Sequence, residues 1–443
     1  MRSVFPSIWL SGRGVWWLLA VALIVALTSV LPGYVPFALF AAAAYAALVI
    51  ADLALGPRIG AVRLRRGTTG FVSLRREAAL RYVIENRSAI GIRVAVLESP
   101  VETFAFDHDT IDARIGPRAF VEVASPFHAR ERGLVHLNAV YCRLENTIGF
   151  LSRRRRIDLP EDVRVFPDLS AVERYGRMAR RTTLIETGLR KMRLRGAGTD
   201  FESLREYLPG DAFRQINWKA TARHGQMMVE QYEVERSQNV LILLDAGRLM
   251  TPRIGLQRKF DYALTAALSI AQIAQTAGDN VGLTAFAAKP VLAIGPRRGA
   301  AHVALLTRSA YDLQPRLEEP DYETAFTQLK QRYSKRSLVV LFTDMFDPAA
   351  SAAVLAGLAM LVPRHLVMCV LMNDAAISRA LDEVPQTPHD AYRAAVALAL
   401  VAERERAIAT LRARGIIVVD VAAPKLTVAL LDAYLDVKSR GLL

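Results

Sequence analysis

From residue 239 to the C-terminus, short apolar runs alternate with helical stretches, and no other feature limits the fold as tightly. NVLILLD (239–245), NVGLTAFA (280–287), SLVVLFTD (337–344), HLVMCVLM (365–372) and GIIVVDV (415–421) are largely apolar along their length. Such runs suit strands covered on both faces rather than strands with one wet side. Helical patterns lie between and after them, at 257–277, 302–313, 322–333, 391–414 and 426–437. In the first of these, Phe260, Leu264, Leu268 and Ile273 fall on or near one stripe. The alternation predicts a Rossmann-type α/β domain over 239–443, built on a mostly parallel sheet.

The front of the chain obeys a different rule. Residues 15–31 carry no charge, and residues 35–55 carry only Asp52. Each run approaches the ~20 apolar residues that cross a bilayer core. Leu31-Pro32-Gly33-Tyr34 reads as a tight turn between them. Trp16, Trp17 and Tyr34 fall where interfacial aromatics sit. A two-helix transmembrane hairpin over 1–57 follows. A cleaved signal peptide fits less well, because no small-x-small site follows Leu31 and a second apolar run comes at once. Arg2 and Arg13 precede the first run, Arg58, Arg63, Arg65 and Arg66 follow the second, and the turn has no basic residue. That asymmetry predicts a multi-pass protein of the inner membrane with both termini and the soluble domains cytoplasmic. The formal net charge of +14 suits an anionic inner leaflet. Cys142 and Cys369 sit in apolar strands without metal-type spacing, as reduced core residues would.

Residues 58–168 alternate in period two and are punctuated by turn residues, which predicts a β-sandwich-like domain. The basic run SRRRRI (152–157) comes before a Pro-bounded strand, and 169–198 forms an Arg-rich helical linker. A solvated connector is the simplest reading, with lipid headgroups or an acidic partner as the functional one. Nothing resembles a nucleic-acid reader.

The segment 199–238 is dense in both signs of charge. Thr199-x-x-Glu202 has capping-box form, with Phe201, Leu204 and Leu208 as a helical stripe after it. Pro209-Gly210 would end that helix. Asp211 would cap a second, anchored by Phe213, Ile216 and Trp218 and stopped at Gly225. So many charges cannot be buried singly. Arg205, Asp211, Arg214, Trp218 and Arg223 are therefore expected to build an ion-pair network or a docking surface, with Trp218 packed into a core or an interface.

Two of the apolar runs end in aspartate, at Asp245 and Asp344. Ligands of doubly wound sheets collect outside the carboxyl ends of the strands. Neighbouring strands would bring both carboxylates and Thr343 to one crevice, an oxygen-rich pocket of the kind that suits Mg²⁺. Arg248 adds positive charge beside it. The chain lacks a Gly-x-x-x-x-Gly-Lys-Ser/Thr loop, a Gly-x-Ser-x-Gly elbow and a His-Glu-x-x-His helix. Its few dispersed histidines argue against His-based acid–base catalysis.

The Asp245 strand, the helix after it and the Phe342-Thr343-Asp344 strand end resemble a von Willebrand factor A-type domain. That fold implies a metal held by an Asp-x-Ser-x-Ser loop, a threonine and a later aspartate. Here the loop is Asp245-Ala246-Gly247-Arg248-Leu249, with Gly247 and Leu249 in the serine positions, and the threonine is expected near 320–324. The whole stretch after the hairpin resembles a bacterial family called domain of unknown function 58. Asp200-Phe201, Leu204-Arg205, Tyr207-x-Pro209-Gly210-Asp211, Arg214-x-Ile216-Asn217-Trp218-Lys219 and Ala222-Arg223 carry that resemblance, with Arg132-Gly133 and Ile148-Gly149-Phe150 upstream. It implies a membrane-tethered adaptor or chaperone-like protein, working beside a MoxR-type AAA+ ATPase on an unknown client. The expected binding surface comprises Asp245, Gly247, Arg248, Thr343 and Asp344, beside Arg205, Asp211, Arg214, Trp218 and Arg223. No cofactor and no enzymatic reaction are expected. A divalent-cation-dependent hydrolase built on Asp245 and Asp344 is the rival reading, and a purely structural envelope protein is the third.

Overall fold

The computed structural model describes residues 7–56, 59–67, 70–108, 110–146, 148–170, 172, 200–208, 211, 213, 216–233, 238–345, 348–373, 377, 381 and 384–442. The chain divides into two compact units, Met1–Phe166 and Pro167–Leu443.

The first unit opens with a short strand, Ser7–Leu10, that the sequence pattern did not suggest. Ser11 then caps the helix Gly12–Leu27, its hydroxyl accepting from Gly14 N at 3.1 Å. This helix has sixteen residues. At 1.5 Å per residue it is about 24 Å long, short of the ~30 Å hydrocarbon core. It ends early because Thr28 and Ser29 turn their hydroxyls onto Val25 O and Ala26 O, each at 2.6 Å. After a turn at Pro32–Tyr34 comes the helix Val35–Leu55. The segment Pro32–Leu55 is long and apolar enough to cross a membrane. The expected pair of spans is thus one candidate membrane helix and one shorter apolar helix.

Behind the helices two sheets enclose one apolar core. The larger runs Ser7–Leu10, Leu151–Phe166, Gly133–Asn146, Ile92–Glu98, Ile111–Ile115, with Phe71–Ser73 added to Leu151–Phe166. The smaller runs Val62–Gly67, Glu77–Asn86, Phe120–Ala129, Phe104–Phe106. Leu80, Tyr82, Ile84, Val94, Phe127, Leu137 and Val140 fill the space between them. The SRRRRI run is not a segment ahead of a strand. It lies inside one continuous strand, Leu151–Phe166, whose register shifts between Asp158 and Glu161. That irregularity takes up Pro160, which has no N–H to give a ladder.

In the second unit, the expected helix from Thr199 is instead a strand. Asp200–Glu206 pairs antiparallel with Met228–Glu233, from Asp200↔Glu233 to Glu206↔Met228. The spacing of Phe201, Leu204 and Leu208 allows a helix, but a distant strand supplies the hydrogen bonds and overrides local preference. The following helix is shorter than expected, Trp218–His224. Its cap is Asn217, which accepts from Ala220 N at 2.9 Å, and Asp211 does not cap it. Gly225 ends the helix in the left-handed region at φ +71°.

The large sheet has six strands in the order Pro290–Arg297, Asn280–Phe286, Asn239–Asp245, Ser337–Phe342, Leu366–Asn373, Ile417–Ala422. Every adjacent pair is parallel except the first, where Pro290–Arg297 returns antiparallel along the edge. Helices cover both faces, as strands apolar on both sides require. Lys259–Thr276 and Leu426–Ser439 pack on the face of Val240, Ile242 and Leu244. Tyr322–Arg332, Pro348–Leu361 and Pro388–Ala413 pack on the face of Leu241 and Leu243. Pro348–Leu361 was not legible in the sequence, because an Ala-rich run shows little polar contrast. The Arg-rich linker, apart from 169, 170 and 172, lies outside the described residues.

Candidate functional site

Asp245 ends the central strand, and Thr343 and Asp344 follow its neighbour. The parallel register pairs Leu244 with Phe342, so Asp245 and Thr343 stand level. The two aspartates are therefore brought to the carboxyl ends of adjacent strands. Both are fully buried, as is Thr343. The expected open crevice between them is filled by the protein's own side chains.

Asp245 Oδ2 accepts from Tyr322 Oη at 2.6 Å and from Thr343 Oγ1 at 2.7 Å, and its Oδ1 accepts from Gly247 N at 2.7 Å. Burial pushes the Asp245 carboxyl above the usual aspartate range. The bonds from Tyr322, Gly247 and Thr343 oppose that shift, and the charge of Asp344 adds to it. Burial and the Asp245 charge likewise raise the Tyr322 phenol.

Asp344 has different neighbours. Its Oδ2 accepts from Lys259 Nζ at 2.6 Å and its Oδ1 from Arg404 Nη1 at 2.6 Å and Met345 N at 2.9 Å. Arg404 Nη2 also donates to Met372 O at 3.0 Å and Asp420 Oδ1 at 2.8 Å. Two aspartates that look equivalent in sequence thus hold opposite settings, one among neutral donors and one between two cations.

The donor set does not match a hard-cation site. Both Asp344 oxygens already serve cations, and a divalent ion would have to displace them. Gly247 and Leu249 bring no hydroxyl, and Gly247 has no room for one. A Cβ there would stand 2.7 Å from Pro320 Cδ and 3.0 Å from Glu318 O. The hydroxyls near Asp245 come from Thr343 and Tyr322 instead. Thr324 lies on the exposed side of its helix, where its N–H caps onto Asp321. Among the described residues no group of three or more His, Cys, Asp or Glu side chains is placed to hold a metal.

Sequence reasoning missed Lys259, Tyr322, Arg404 and Asp420. Arg404 sits in the helical run Glu403-Arg404-Glu405-Arg406, where nothing in the pattern marks one arginine as buried. Arg248 does not reach the aspartates. It pairs with Glu319 on the surface, while its N–H donates to Glu318 O at 2.8 Å. Leu317, two residues before Glu319, is exposed, as is Leu256 in the turn between Ile254 and Gln257.

In the charged segment, Arg205 and Asp211 form a bidentate pair at 2.8 and 2.7 Å, and Asp211 also accepts from Leu208 N at 2.8 Å. Asp211 thus closes the loop after the strand. Arg223 is exposed, and Arg214 lies outside the described residues. Trp218 does not enter a core: it is 65% exposed, and Phe213 is 71% exposed. Cys142 and Cys369 are free and buried, and burial pushes each thiol up to about 12.

Fold and site together define a multidomain chain with an apolar N-terminal helix, a two-sheet β unit and a mostly parallel α/β sheet whose strand-end carboxylates are sealed. Residues 203–386 match the family described as "Protein of unknown function DUF58". The chain is 44% identical over 43 residues to the uncharacterized protein YeaD of Bacillus subtilis, covering 10% of this chain and 11% of that one. It is 24% identical over 181 residues to the uncharacterized protein Rv1480 of Mycobacterium tuberculosis, covering 40% and 56%. The uncharacterized protein Mb1516 of Mycobacterium bovis matches to the same extent. The matches thus span about half the mycobacterial relatives and a small part of YeaD. Among solved structures, the conserved hypothetical protein BatB of Bacteroides thetaiotaomicron aligns over 46% of this chain and all of its own, at 9% identity and a TM-score of 0.30.

Proposed function

We propose that this protein is a membrane-anchored adaptor, facing the cytoplasm, that recognises another protein through its charged segment and the rim of its α/β sheet. The observation that carries this reading is the exposure of Leu208, Phe213 and Trp218 within the family segment. Large apolar side chains left in water beside arginines are the usual anchors of a protein interface. Arg205–Asp211 holds the loop that presents Phe213, whose ring lies 6.0 Å from that of Tyr207. The exposed Arg248–Glu319 pair and Leu317 offer a second contact at the strand ends. Asp245, Thr343 and Asp344 act beneath that rim as its rigid support.

The α/β domain is read as a degenerate von Willebrand factor A-like domain, and family resemblance favours a MoxR-type AAA+ ATPase as the partner. The two apolar helices form the anchor, inserted as a hairpin with both ends inside. The hydrolase reading has less support, because Asp344 is already neutralised by Lys259 and Arg404. The test is capture of a MoxR-type ATPase from the same cell by the detergent-solubilised full chain. Phe213→Ala and Trp218→Ala are expected to lose capture while keeping the parent's melting temperature. Capture that survives both substitutions rejects the charged segment as the binding surface.

A further inference from the structure

We infer that the outer face of the larger sheet of the first unit, next to the apolar helices, binds anionic phospholipid headgroups of the bilayer that takes up those helices. The inference rests on the membrane reading above. Its first support is continuity. The rung Leu10↔Leu151 is the last before the chain enters the helix Gly12–Leu27. Arg153 donates to Leu53 O at 2.8 Å and Gly56 O at 3.2 Å, at the end of the second helix. Moving away from that base, the outer face carries Trp9 opposite Ser152, then Arg154 opposite Arg143, then Arg156 opposite Tyr141. At ~3.3 Å per residue Arg154 stands about 10 Å from the base. One leaflet's polar layer is roughly 5–8 Å deep, and an extended arginine spans the difference.

Charge is the second support. Two guanidinium groups directly opposite on one face of an antiparallel ladder repel each other. Arg143 reaches Glu145 only at 3.5 Å. Arg154 lies 5.8 Å from the centre of the Trp9 ring and makes no ion pair among the described residues. Arg93 stands between Arg114 and Glu145 on the same surface. A phosphodiester placed between Arg143 and Arg154 converts that repulsion into two charge-assisted hydrogen bonds. The third support is apolar. Ile8, Trp9 and Leu10 are all exposed, and a tryptophan beside a membrane helix belongs at headgroup depth. A soluble acidic protein would not explain exposed apolar side chains adjoining the helices.

The experiment uses the full chain in nanodiscs of phosphatidylcholine, with and without phosphatidylglycerol, and reads the thermal unfolding midpoint. Phosphatidylglycerol is expected to raise the midpoint of the native chain. Arg154→Glu replaces the repulsion with a cross-strand pair. It is expected to raise the midpoint in phosphatidylcholine alone and to abolish the response to phosphatidylglycerol. Arg143→Gln with Arg154→Gln should also abolish it, and serves if the glutamate variant fails to fold. Arg298→Glu, in the other unit, should keep it. A chain that resists carbonate extraction yet shows no lipid response overturns the headgroup site alone. A chain that carbonate extracts overturns the membrane reading with it. Inorganic phosphate reproducing the shift would assign the face to soluble anions and overturn the lipid assignment.

Discussion

Lys259 Nζ lies 2.6 Å from Asp344 Oδ2, and both side chains are buried. Arg404 meets the other Asp344 oxygen at 2.6 Å. Lys259 begins a helix on one face of the sheet, and Arg404 comes from a helix on the other. One carboxylate thus ties together the two helical layers at the edge where a ligand would approach. A lysine at a helix N-terminus is disfavoured by the helix dipole, and Asp344 offsets that cost.

Removing this carboxylate takes a charged partner from two buried cations, while Arg404 keeps Asp420. Asp344→Asn is expected to destabilise the domain by about 3–5 kcal/mol in denaturant unfolding. Lys259→Met added to Asp344→Asn should recover part of that loss, since one buried charge that has lost its carboxylate is gone. Strictly additive losses would show that the pair is not coupled.

Gly247 gives a separate prediction. Its φ of −83° is ordinary, so the constraint is space and not backbone strain. Gly247→Ser restores a hydroxyl to the Asp-x-Ser pattern but drives its Cβ into Pro320 Cδ and Glu318 O. The expected result is a loss of roughly 1–3 kcal/mol through overpacking. Titration calorimetry with Mn²⁺ should detect no gain in binding, and micromolar binding by this variant would revive the hydrolase reading.

The places of Asp245 and Asp344 were legible because apolar runs ending in an acidic residue have a defined edge in a parallel sheet. Their surroundings were not. Tyr322, Lys259 and Arg404 reach the aspartates from separate helices, and side-chain convergence leaves no local signature. The two-sheet unit was legible from period-two alternation, as in the strand Gly133–Asn146, whose burial alternates on either side of one phase change at Ala139 and Val140. The segment 200–206 was misread because Phe201, Leu204 and Leu208 satisfy a helical spacing while the deciding contacts lie at 228–233. The open crevice failed for a related reason: strand-end placement brought the acids together, without showing that Lys259, Tyr322 and Arg404 would fill the space between them.

Asp245 makes stability depend on pH. Its folded carboxyl is raised above the ordinary value of ~3.9, mainly by burial. A raised folded value contributes stability that is complete below the unfolded pKa and is lost as pH rises through the folded one. Asp245→Asn removes this titration. The stability of the parent relative to Asp245→Asn should therefore fall as pH is raised from about 4 toward neutrality. Denaturant midpoints of both proteins across that interval provide the measurement, and a difference that grows with pH would contradict the assignment.

Asp52 lies in the apolar helix Val35–Leu55 yet is buried, and its Oδ2 accepts from Phe150 N and Leu151 N, each at 2.7 Å. Gly14 lets the first helix approach Phe150 O closely, and the Ser11 hydroxyl donates to Gly149 O. Phe150 packs its ring 5.8 Å from Tyr45 and 6.5 Å from Trp17. The apolar helices are thus clasped to the β unit through residues 149–151. Asp52→Ala leaves two backbone donors without acceptors and should cost about 1–3 kcal/mol. Asp52→Asn can keep its amide oxygen in the Oδ2 position and should cost much less. Hydrogen exchange at amides 150 and 151 distinguishes the two, accelerating in the alanine variant and remaining near the parent in the asparagine variant. Equal exchange in all three proteins would mean that Asp52 does not hold the clasp.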